Sequence, residues 1–307
     1  MDIRRVMVSG GAGRLGRSVL ADLRRAGFQV TVLTLEDPGD LGVDRVVVGD
    51  ARNPQAVRTA LDGASAVVHL AARPNPFAGT PVEIFAGNTQ ATFVVLEEAG
   101  LAGVKQAVLA SSYAITGLPF ARRRLQPAYL PIDDSLPLQA EDPYALSKMA
   151  DEATAEVMAR RHDMTCLALR FPFLGDAERL GTRSSLAVSS PATGAAELWS
   201  YLDLRDAARA VRLALSVPQT GYVSTFLAAP NTYVPYPTEQ LLDAFFPAVP
   251  RRRILRGQEV AIDLRHSQHL LGFEARFVCE RPVRSLPPGL AAEPVPVRSD
   301  LLTAGQR

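Results

Sequence analysis

In the stretch DPYALSKMADEA, Tyr144 and Lys148 stand four residues apart, the spacing that sets two side chains on one helix face with Cβ atoms about 5–6 Å apart. Pro143 suits a first helical turn and Asp142 suits its cap. A free phenol ionises near pH ~10, so a tyrosine that moves protons near neutrality needs roughly 4 kcal/mol of help. One positive charge about 4 Å away, at an effective dielectric near 20, supplies about 4 kcal/mol. The pair is therefore competent for acid–base work. The competing reading is a surface pair on an amphipathic helix, and the short pattern does not by itself separate the two.

A second group with chemical meaning is the run VSGGAGRLG, with Gly10, Gly13 and Gly16 around Arg14 and Leu15. Glycines here permit a tight turn and let backbone approach a pyrophosphate, while the following helix offers free N–H groups and its positive dipole end. Three glycines alone also describe an ordinary turn; what favours a dinucleotide is their place after the first strand of a βαβ series. At the end of the second strand Thr34 stands where an acidic residue would select NAD against NADP. Arg14 suits a 2′-phosphate and Glu36 opposes one, so the expected cofactor is NAD or NADP.

These residues need a scaffold. Residues 4–8, 29–33, 45–48, 66–70, 107–110 and 165–170 read as strands, and 15–26, 54–61, 81–98 and 144–161 as helices. Strands that alternate with helices and are apolar nearly throughout imply right-handed crossovers and a parallel sheet covered on both faces. The expected fold is α/β, a Rossmann-type doubly wound parallel sheet with a small C-terminal substrate-binding region. Residues 175–196, rich in Gly, Ser, Thr and Pro, read as loop. Helix signals return at 206–215 and from Thr238, with a short strand at 224–228. The chain thus divides into a dinucleotide-binding unit at 1–174, to which 198–228 contributes, a substrate-binding region at 175–197 and 229–280, and a poorly ordered tail at 281–307.

Composition narrows the classes. The 307 residues are 47% hydrophobic and 21% charged, with a net charge of +1, which favours neither nucleic acid nor an anionic membrane surface. No apolar run approaches the ~18 residues of a membrane span, and the start of the chain carries no signal-peptide pattern, so a cytoplasmic protein is expected. Cys166 and Cys279 are too far apart in sequence to form a zinc framework. His266 and His269 could share a helix face, but no third metal ligand is evident, and a solvated helix is the expectation. His69, in an apolar strand, reads as a packed residue. Arg122–Arg124 and Arg251–Arg253 read as solvated loops, the former with a possible reach to an anionic substrate.

The ordered set SGGAGRLG, GDARN at 49–53, HLAA at 69–72, Asn88, SSYAITG at 111–117, YALSK and LWSYLDLRDAARA at 198–210 resembles the extended short-chain dehydrogenase/reductases, the branch of NAD-dependent epimerases and dehydratases. The resemblance covers about residues 3–215 and weakens toward 273. It implies that Asp50 and Ala51 meet the adenine side of the cofactor. Leu70, Ala71 and Ala72 would line the dinucleotide, with Asn88 and Ser111 beside it. Ser112 would bond the substrate oxygen, Tyr144 would move its proton, and Lys148 would bind the nicotinamide ribose. Asn88 has a second reading as a helix-packing residue, and Ser111 is the neighbour most easily confused with Ser112. A homodimer through the helices at 81–98 and 144–161 is also implied, and Phe93, Val94 and Val95 are compatible with it.

Departures from the family pattern bear on the reaction. Its dehydratases place an Asp–Glu pair after the catalytic hydroxyl residue; here Tyr113 and Ala114 follow Ser112. The nucleotide-sugar epimerases hold the diphosphate on an asparagine-containing insert, and residues 175–199 contain no Asn. The expected activity is hydride transfer between nicotinamide and a small polar alcohol or carbonyl such as a sugar or uronic acid. An epimerase that retains its cofactor is the alternative, and a non-catalytic dinucleotide sensor is a further one.

Overall fold

The computed structural model describes residues 5–218 and 221–289. Seven parallel strands form the main sheet, β1 (Arg5–Ser9), β2 (Gln29–Thr34), β3 (Arg45–Val48), β4 (Ala66–His69), β5 (Gln106–Ser112), β6 (Thr165–Phe171) and β9 (Gly221–Phe226). Their order is β3-β2-β1-β4-β5-β6-β9. The chain leaves β1 in opposite directions across the sheet, and ligands of such folds sit outside the carboxyl ends of the strands at that reversal. Arg4, expected in the first strand, lies outside the described residues.

Side chains alternate strictly. Val6, Val8, Val30 and Val32 pack with Val19, Leu20 and Leu23 of α1 (Arg14–Arg25) and with Ala207 and Val211 of α7 (Leu204–Ala214). Met7, Leu33, Val67 and Leu109 face the other way, onto α2 (Pro54–Leu61), α3 (Pro81–Leu101) and α4 (Pro143–His162). Because both faces of the central strands are covered, these strands read as continuous apolar runs; β3 at the sheet edge differs, with Val46 and Val48 exposed although its run of valines reads as buried.

The segment at 175–196 is not a loop. It forms α5 (Ala177–Ser189) and the short α6 (Ala192–Ala195). Asp176 caps α5 by accepting from the Arg179 N–H, and Leu180, Ser184 and Ala187 are its buried stripe. A stripe with Ser at its centre is nearly silent in hydropathy, and only packing against the C-terminal residues makes it a core face. Short β7 (Phe173–Gly175) and β8 (Tyr201–Asp203), which the sequence did not signal, pair in parallel beside it. The expected strand at 224–228 begins earlier, at Gly221, and pairs with β6. Beyond it, α8 (Thr238–Phe245) and α9 (Arg265–Leu271) follow. Trp199, Tyr201, Tyr233, Tyr236 and Phe245 are wholly buried in a separate aromatic core among these elements.

The start of the expected tail is held in place. The Arg284 N–H donates to the Pro235 carbonyl (2.9 Å), and the Leu286 N–H to Gln240 Oε1 (2.8 Å). Residues 290–307 lie outside the described residues. No helix among the described residues is long and apolar enough to cross a membrane.

Candidate active site

Tyr144 is placed by its helix. Asp142 Oδ1 accepts the N–H groups of Tyr144 and Ala145, each at 2.9 Å, a cap of the kind that contributes about 1 kcal/mol. The first turn of α4 then lies against the short 3-10 turn Tyr113–Thr116 that follows β5, so Tyr144 and Ser112 line one cleft of about 700 Å³. Gly10, Gly13, Arg14, Leu15, Gly16, Leu70 and Ala72 line the same cleft. Residues 134 positions apart in the chain are thus brought together at the carboxyl ends of β1, β4 and β5.

The glycine loop forms an open cradle. Gly10 has φ +73°, and a Cβ there would strike the Ala71 backbone; a Cβ on Gly16 would run into the carbonyl of Gly10. Gly13 is the N-cap of α1, and no side chain caps its first N–H groups. Free donors at the end of a helix dipole beside a groove that side chains cannot fill suit a pyrophosphate. The residues present therefore fit a dinucleotide.

Ser112 is half-buried, and its Oγ accepts the Ala114 N–H at 3.1 Å, which leaves its hydroxyl proton free to donate. Ser111 also lines the cleft, but its hydroxyl is taken up by Glu152, donating to Oε1 at 2.5 Å. Glu152 also takes Arg170 through two nitrogens (2.8 and 3.0 Å) and the Tyr222 hydroxyl (2.9 Å). That buried network fastens α4 to β5, β6 and β9. The two adjacent serines therefore differ in whether the hydroxyl proton is committed.

Lys148 is 4% exposed and its ammonium lies 3.1 Å from Asp151 Oδ2. Burial works against the charge, but Asp151 and then Tyr144 hold the lysine above its ordinary range. Tyr113, the neighbouring phenol, is a poor proton carrier: burial first and Glu197 second push it well above 10. His69 is packed, as expected, between Ser9 Oγ (2.7 Å) and Thr92 Oγ1 (3.0 Å).

The other expected cofactor residues, Thr34, Asp50, Ala51, Ala71 and Asn88, lie outside the lining of this cleft. Thr34 ends β2, and Asp50 and Ala51 follow β3. The Asp50 carboxylate is bound by the Arg52 guanidinium, chiefly by hydrogen bonds that lower its pKa. Asn88 is 2% exposed; its amide holds the Arg73 N–H (2.8 Å), the Arg73 carbonyl and Ser147 Oγ (2.9 Å). It ties α3, α4 and the loop after β4 together, which is its packing reading. Val95 is buried in the core and does not face outward, unlike Phe93. Arg123 pairs with Glu141 and Arg124 lies over Phe246, so that basic run does not line the cleft. His266 pairs with Asp134 at 2.6 Å. Among the described residues no group of three or more side chains is disposed to hold a metal.

The sequence reading missed several cleft residues. Phe77, Phe120 and Tyr144 form an edge-to-face chain with centroids 6.0 and 6.2 Å apart. Arg179 and Arg183, four apart on α5, both lie over the Phe173 ring (4.9 and 5.3 Å) and line the cleft. Arg183 pairs with Glu197, whereas Arg179 makes no ion pair among the described residues and its Nε is buried without a partner. Their spacing was visible, but without a recognised helix it carried no meaning.

A cradle for a dinucleotide joined to a Ser, Tyr and Lys cluster on a parallel sheet defines the class of dinucleotide-dependent short-chain enzymes. The model of the NAD dependent epimerase/dehydratase family matches residues 6–229, and the chain belongs to that family. It is 31% identical over 181 residues to L-arabinose 1-dehydrogenase (NAD(P)(+)) of Haloferax volcanii, a match covering 57% of this chain and 69% of that protein. It is 30% identical over 230 residues to a 3-diazoavenalumate denitrifying reductase of a Streptomyces species, covering 71% and 74%. A short-chain dehydrogenase/reductase superfamily protein from Agrobacterium tumefaciens, solved with bound NAD, superposes with a TM-score of 0.65 at 26% identity over 90% of this chain and 94% of that one.

Proposed function

We propose that this protein is an NAD(P)-dependent oxidoreductase that interconverts a small alcohol and its carbonyl compound, with a sugar acid as the fitting substrate class. The observation that carries this reading is the single cleft that joins the glycine cradle to Ser112, Tyr144 and Lys148. Gly10, Gly13, Arg14, Leu15 and Gly16 would hold the pyrophosphate of the cofactor. Thr34, Asp50 and Ala51 would stand on its adenosine side, and Leu70, Ala71 and Ala72 along its middle. The bound nicotinamide supplies hydride acceptance or donation.

The chain's own residues do the rest. Ser112 donates its free hydroxyl proton to the substrate oxygen and orients it. Tyr144 Oη removes the alcohol proton in oxidation and returns it in reduction. The Lys148 ammonium favours the phenolate. Phe120 and Phe77 give the reacting side of the cleft an apolar wall. Arg179, stacked on Phe173 and without an ion-pair partner among the described residues, offers a guanidinium whose fork matches a carboxylate, and this favours an acid over a neutral sugar. After Ser112 the cleft presents Tyr113 and Ala114, a pair with no acid and base for removing water.

The test is a panel of neutral sugars and uronic acids with NAD and with NADP, followed at the nicotinamide absorbance. Uronic acids should be oxidised, Tyr144→Phe should abolish the signal, and Arg179→Leu should raise KM for acids by about 10-fold or more, an ion pair's worth of ~1.5–3 kcal/mol. Full activity in Tyr144→Phe would remove the mechanism. Co-purified nicotinamide with inversion of a sugar and no net reduction would assign an epimerase.

A further inference from the structure

We propose that Asp151 is a positioning residue, a buried counter-charge that holds the Lys148 ammonium and raises the pH at which Tyr144 loses its proton. The proposal rests on the reading of Tyr144 and Lys148 as the proton-handling pair. Tyr144, Lys148 and Asp151 follow one another at i, i+4 and i+7, a single stripe of α4. All three are buried, at 8%, 4% and 3% exposure. The Lys148–Asp151 contact of 3.1 Å joins two side chains that are each 5% exposed, so water screens the pair little. Asp151 Oδ1 is buried without a hydrogen-bond partner among the described residues. Among the described residues the carboxylate's one hydrogen-bonded contact is therefore the ammonium.

The other charged and titratable groups around the pair are already committed. Glu152, next along α4, is neutralised by Arg170 of β6 and bonded by Tyr222 of β9 and Ser111 of β5. His69 of β4 is held between two hydroxyls, and burial depresses its pKa to about 4, so it is neutral at working pH. From α3 the nearby groups are Thr92 and Asn88, which carry no charge. Tyr113, in the turn after β5, bonds the Ala196 carbonyl. Asp151 is thus the carboxylate that offsets Lys148. A positive charge beside a phenol favours its ionised form, and a carboxylate two turns further along the same helix opposes that by about one pH unit at an effective dielectric near 20. It also draws the ammonium toward the 151 end of the stripe until a ribose competes for it.

The ionisation of Tyr144 can be read without knowing the substrate, as the phenolate absorbance of the protein minus that of Tyr144→Phe, in the presence of NAD. Asp151→Asn removes the charge at nearly constant shape and should lower the Tyr144 midpoint by about one pH unit. Asp151→Glu keeps the charge and should stay near the parent. If the Asn protein does not fold, Asp151→Ser must give the same downward displacement. An unchanged midpoint in the neutral variants, or equal displacement in the Asn and Glu proteins, overturns the proposal. A displaced midpoint in a protein that oxidises nothing on the panel would leave it standing and discard the substrate reading instead.

Discussion

Replacing His69 by glutamine should alter the protein's response to acid in a way that can be worked out from its surroundings. His69 is 3% exposed, with Nδ1 on Ser9 and Nε2 on Thr92. Burial is the main cause that lowers its pKa from 6.5 to about 4; Asp151 opposes the shift and Lys148 adds to it. The folded value is below the unfolded one, so between pH 6.5 and about 4 the unfolded chain binds a proton that the native protein refuses. Stability from this group is complete above pH 6.5, falls as pH drops, and stops falling near 4, where the native ring also protonates. The window of 6.5 − 4, about 2.5 pH units at 1.36 kcal/mol each, corresponds to about 3 kcal/mol. Urea unfolding followed by the fluorescence of the single tryptophan, the buried Trp199, provides the assay. Carboxylates with lowered pKa, such as Asp50, Glu97 and Asp263, also lose stabilisation in acid, but equally in both proteins, and cancel in the difference. The parent should lose about 3 kcal/mol more than His69→Gln between pH 6.5 and 4. Parallel losses across that range would refute the reasoning, because they would mean that the native ring protonates as freely as an exposed one.

Glu152→Ala should destabilise the protein by about 3–5 kcal/mol, since it leaves the buried Arg170 guanidinium without its two-point partner; a loss under about 1 kcal/mol in urea unfolding would show that water replaces the carboxylate. The exposed Phe85 and Phe93 of α3 and Leu146 and Val157 of α4 favour pairing of two copies through these helices. Sedimentation should give a dimer that Phe93→Glu dissociates, and a monomeric parent at micromolar concentration would exclude this pairing.

Sequence alone determined the parallel sheet and the ends of its crossovers, because both rest on local rules. Strands buried on two faces are apolar throughout, Pro143 and Asp142 mark a helix start, and Gly10 and Gly16 stand where a Cβ meets backbone. It also brought Tyr144, Lys148 and Ser112 under one hypothesis, through spacing and resemblance. Tertiary structure decided what lies opposite them. The helix at Ala177–Ser189 has a weak stripe that becomes a core face only against residues from the far end of the chain, so Arg179 and Arg183 had no face until the fold supplied one. Ser111 and Ser112 are alike in sequence and both line the cleft, but the fold commits the Ser111 hydroxyl proton to Glu152 and leaves that of Ser112 uncommitted. Asn88 and Asp151 were readable as positions but not as partners, since a polar side chain's task depends on which groups burial leaves beside it.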